Sequence, residues 1–81
     1  MDPQATWDEL LQASLDRDWD RMEELADALL GWLGKHGAPP LTVGHRDLGV
    51  QWHGAVAQFV CYMALSKVRD ARRRKSRRTK P

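Results

Sequence analysis

Between residues 19 and 33 the apolar side chains recur every three or four positions: Trp19, Met22, Leu25, Ala26, Leu29, Leu30, Trp32 and Leu33. At 100° per residue they gather on one side of a helix. Asp20, Glu23, Glu24 and Asp27 gather on the other side, within about 100° of one another. A helix divided in this way has one face to bury and needs other elements to bury it against. The fold is therefore expected to be an assembly of helices.

The flanking segments supply those elements. Thr6-Trp7-Asp8-Glu9 has the form of a capping box, in which the threonine and glutamate side chains satisfy each other's backbone donors. The helix it opens carries Trp7, Leu10, Leu11, Ser14 and Leu15 close in phase and is expected to end near Asp16. Asp16-Arg17-Asp18 then reads as a tight connection, with Asp18 capping the next helix. One bent helix through this point is the competing reading, and two helices are preferred. Gly34 or Gly37 supplies the next stop. Pro39-Pro40 then imposes an extended connection.

The third helix is expected to begin between Gly44 and Asp47 and to run to about Arg72 or beyond. It presents two apolar faces. The bulky one holds Trp52, Val56, Phe59 and Met63, with Ala55 and Tyr62 at its border. The other is a heptad-spaced seam of smaller residues, Val50, Gly54, Ala57, Cys61, Ala64 and Val68. Small side chains at a and d positions let two helix backbones approach closely, as in coiled-coil packing. The bulky face is expected to dock on the hairpin of the first two helices, leaving the small seam for self-association as a homodimer. The rival arrangement places the third helix centrally, covered on both faces by the other two.

The expected fold is thus all-α: a small three-helix bundle built of a helical hairpin and a long third helix, ending in a basic, disordered tail. The helical domain spans residues 1–68 and the tail 69–81. Eighty-one residues make one domain. Without the tail, too few remain for a large core, and oligomerisation commonly helps chains of this size. The single cysteine, Cys61, excludes an internal disulfide and fits a reducing compartment. The acidic first twenty residues lack the apolar core of a secretory signal. The longest apolar-rich run, residues 54–65, is far shorter than the roughly 20 residues a bilayer needs. A cytoplasmic protein is expected.

Charge is divided along the chain. Nine of the 13 Lys and Arg lie between Lys67 and Lys80, with Asp70 the lone acid among them. Residues 1–66 hold four basic residues against ten acids. A dense block of like charge is ordinarily an interaction segment. Here it contains no aromatic residue, so it neutralises phosphates but does not stack bases.

Little else points to chemistry. His36, His45 and His53 lack metal-ligand spacing and read as loop and surface residues. The Asp20/Glu23/Glu24/Asp27 stripe has no accompanying histidine and reads as a solvated face. Cys61 has no neighbouring base, and Trp7, Trp19, Trp32 and Trp52 are all in phase with the core. No phosphate loop or nucleophile arrangement occurs. No cofactor and no enzymatic activity are expected. The expected function is sequence-tolerant association with nucleic acid through Arg72, Arg73, Arg74, Lys75, Arg77 and Arg78. The alternative is a helical interaction or self-assembly module whose basic end docks on an acidic protein surface.

Overall fold

The computed structural model describes residues 1–44 and 46–78, with the side chains of 75–78 left aside. Three helices make up the fold: α1 (Pro3–Asp16), α2 (Trp19–Gly34) and α3 (Val50–Arg78). No strand occurs among the described residues. The all-α three-helix architecture is as expected, and α1 and α2 are separate helices.

Helix α1 begins earlier than the capping box implied. Asp2 is its N-cap, accepting from the backbone N–H of Gln4 and Ala5, and Pro3 opens the first turn. Thr6 lies inside that turn and donates its hydroxyl to the Asp2 carbonyl. Asp-Pro therefore outcompetes Thr6 as a start signal. Arg17 ends the helix in a left-handed conformation (φ 55°), its N–H turned back to Ala13 and Ser14. Asp18 then caps α2 by accepting from Arg21 N–H, as its position in the sequence implied.

Helix α2 is the middle element, packed against both α1 and α3. Trp7, Leu10 and Ala13 of α1 meet Met22, Leu25, Ala26 and Leu29 of α2 and Ala57, Cys61, Ala64 and Val68 of α3 in one core. This inverts the expected use of α3. Four of the six seam residues are buried within the chain, while Trp52, Phe59 and Met63 of the bulky face are exposed and Val56 is half-buried against the core. Volume complementarity explains the inversion. Helix α2 already supplies Met22, Leu25 and Leu29, so its partner must contribute small side chains to reach native packing density. Val50 stands outside this core, 70 % exposed. Trp52, expected in the core, is also exposed, whereas Trp7 is buried and Trp19 and Trp32 are half-buried.

Helix α3 starts at Val50 rather than before Asp47, because the preceding loop is held elsewhere. Gly44 and Gly49 both take positive φ. His53, expected at the surface, is buried and fastens the loop: Nε2 accepts from Leu48 N–H at 2.9 Å, and Nδ1 lies 2.9 Å from the Thr42 hydroxyl. The Gln4 side-chain amide pairs with the backbone of Leu41 through two hydrogen bonds, tying the same loop to α1. Nearer α2, the Trp32 indole donates to the Ala38 carbonyl at 2.8 Å. Its ring lies so close to Gly37 that an added Cβ would collide with it.

Past the core, α3 continues helical to Arg78, where a disordered segment from Arg69 was expected. The inner face continues to engage the body there through Val68 and Arg72. His45 and residues 79–81 lie outside the described residues.

Candidate phosphate-binding recess

Lys67 and Arg74 are two helical turns apart and lie on the same side of α3. That side faces the turn between α1 and α2, where Ser14, Arg17, Trp19 and Met22 complete a recess of about 290 Å³. Arg17 reaches it because the left-handed end of α1 turns the chain there. Ser14 donates its hydroxyl hydrogen to the Leu10 carbonyl, so its oxygen is left as an acceptor. The result is three cations around a small cavity with an indole in its wall. Phosphate oxygens suit such a constellation.

The remaining bases divide into occupied and open. Arg72 turns inward and is bound by Glu23 at 2.7 Å and by Asp20 at 2.8 Å. Those hydrogen bonds raise its pKa further above the ordinary arginine range. Arg21 is likewise taken by Glu9 and Glu24. Three of the four carboxylates of the α2 stripe are therefore ion-paired within the chain, and the stripe is more than a solvated face. Among the described residues, Arg17, Lys67, Arg69, Arg73 and Arg74 form no ion pair. Of the expected contact residues, Arg73 and Arg74 are exposed and Arg72 is engaged. Lys75, Arg77 and Arg78 continue the helical backbone.

The sequence reading of contact residues passed over Arg17 and Lys67. The seven-residue spacing of Lys67 and Arg74 was a usable signal for shared facing. Arg17 becomes a neighbour only through the hairpin.

Cys61 lies fully buried between α2 and α3. Burial pushes its thiol up to about 11, and the nearby Asp27 carboxylate adds to the effect. The folded state thus holds this proton more tightly than the unfolded chain, whose thiol titrates near 9.0. The associated stability is complete below about pH 9 and falls as the pH climbs toward 11. Thermal melts of the native protein should therefore decline more steeply over this window than those of Cys61→Ala. Parallel declines would show that the thiol does not contribute.

No group of three His, Cys, Asp or Glu side chains among the described residues is placed to hold a metal ion. No helix among them is long and apolar enough to cross a membrane. Comparison with family models, curated proteins and solved structures finds no match for this chain.

Proposed function

We propose that this protein associates electrostatically with nucleic acid, engaging the phosphate backbone without strong sequence specificity. The observation that carries the reading is the recess of Arg17, Lys67 and Arg74, continued by exposed Arg73 along the basic end of α3. Cations contributed by two parts of the fold converge on one anion-sized space. Backbone contacts of this kind position a protein on a polynucleotide and carry little base information. Cytoplasmic placement belongs to the same proposal and agrees with a single, buried, free thiol.

A salt titration of fluorescent duplex and single-stranded oligonucleotides, read by anisotropy, tests it. Binding should weaken steeply with salt, with a log–log slope of about −4 to −5 for five duplex phosphate contacts. Neutralising Arg73, Arg74, Lys75, Arg77 and Arg78 to glutamine should abolish most of it. Binding that ignores salt, or survives those substitutions, overturns the proposal.

The second reading, docking on an acidic protein surface, is favoured by one contact. Arg72 already seats on Asp20 and Glu23, so the basic end of α3 has an intramolecular acidic partner. Tight, salt-sensitive binding to polyglutamate with none to oligonucleotides would select this reading.

A further inference from the structure

The outer side of α3 carries exposed Trp52, Phe59 and Met63 and, at its edge, Val56, half-buried against the core, together at the 4-3-4 spacing of a heptad seam, with Tyr62 beside it. Trp52 is 54 % exposed, Phe59 68 %, Tyr62 56 % and Met63 41 %. From Leu48 to Ser66 the chain has no Asp, Glu, Lys or Arg, so the stripe lies in an uncharged window. We infer that this stripe is the interface for a second copy of the chain, packed antiparallel across a twofold axis between Val56 and Phe59.

Three observations select this occupant. The stripe is symmetric about its centre: reversal sets Trp52 against the partner copy's methionine at 63, and Val56 against its phenylalanine at 59. Large residues then meet smaller ones twice over. Charge selects the direction. Parallel packing would align the two basic ends, each with nine Lys and Arg between 67 and 80. Antiparallel packing lays each beside the other copy's acidic body, four bases against ten acids. Asp47, 81 % exposed, then falls near the other copy's arginine at 69, roughly equidistant from the axis.

Area sets the strength. Four half-exposed side chains of about 200 Å² each offer roughly 450 Å² per copy. That matches the larger functional patches found on monomers. Flanking residues bring it toward, but not beyond, the roughly 800 Å² per partner of a standard interface. A reversible dimer with a dissociation constant on the order of micromolar follows. An anionic lipid surface fits less well, because exposed Asp70 continues the line of the stripe.

Sedimentation of the full chain over a broad concentration range tests the interface. Mass should rise from one copy to two, and Phe59→Asp should weaken the association about tenfold or more while circular dichroism stays helical. Asp47→Arg should weaken it less, and combining that change with Arg69→Asp should restore it. A nitroxide on Arg74→Cys should report a distance of about 50 Å in the antiparallel dimer, against under about 20 Å for parallel packing. Buried Cys61 does not compete for the label. A monomer at every concentration, an unaltered mass for Phe59→Asp, or the short distance overturns the proposal. So does a monomer whose Trp52 emission shifts only on phosphatidylglycerol vesicles.

Discussion

Replacing His53 by alanine is expected to cost about 2–4 kcal/mol, a large share of the stability of so small a domain. Two effects combine. The ring is 2 % exposed, so its removal empties a packed site. Its nitrogens also hold the loop at both ends, receiving the Leu48 amide and meeting Thr42. Without them the loop between Leu41 and Gly49 loses its side-chain fastening to α3, while the Gln4 pairing to α1 remains. His53→Gln retains a polar atom able to reach toward Leu48, so it should recover part of the loss. Urea denaturation with constant m-values measures both variants. A cost below about 1 kcal/mol for alanine would show that the loop stands without this fastening.

The second large effect concerns the recess. Changing Arg17, Lys67 and Arg74 together to glutamine should lower duplex affinity by about a hundredfold or more at 0.1 M salt. Three lost phosphate contacts should also reduce the salt slope by about 2.7. Arg72→Gln is the internal control. That guanidinium is bound to Asp20 and Glu23, so its loss should change affinity far less and affect the docking of α3 on α2 instead. If Arg72→Gln matches the triple variant, the recess is not the phosphate site. Anisotropy titrations of the native protein and the two variants decide the matter.

Much of the fold was legible because it rests on local signals. The periodicity of residues 19–33, the Asp18 cap and the stop at Gly34 are each written within a few residues, and the structure places α2 accordingly. The faces of α3 were misread for a definite reason. Bulk was taken as the mark of the core, but packing depends on the sum of two surfaces, and α2 had already contributed the bulk. His53 was obscure because its partners, the Leu48 amide and the Thr42 hydroxyl, lie in an irregular loop and carry no sequence signature. The recess was half legible: Lys67 and Arg74 share a heptad spacing, whereas Arg17 enters through the geometry of a turn.

The continuity of α3 across the charge boundary sets a ceiling on valency. A flexible cationic chain can wrap all its charges onto one polyanion, at the cost of ordering itself. A helix turns each successive residue by 100°, so neighbouring bases diverge around the rod. Arg72 faces the body while Arg73 and Arg74 are exposed to solvent. On the proposed association with nucleic acid, the number of phosphates engaged at once is therefore smaller than the number of arginines and lysines present, and the exposed bases left over would be available to a second strand.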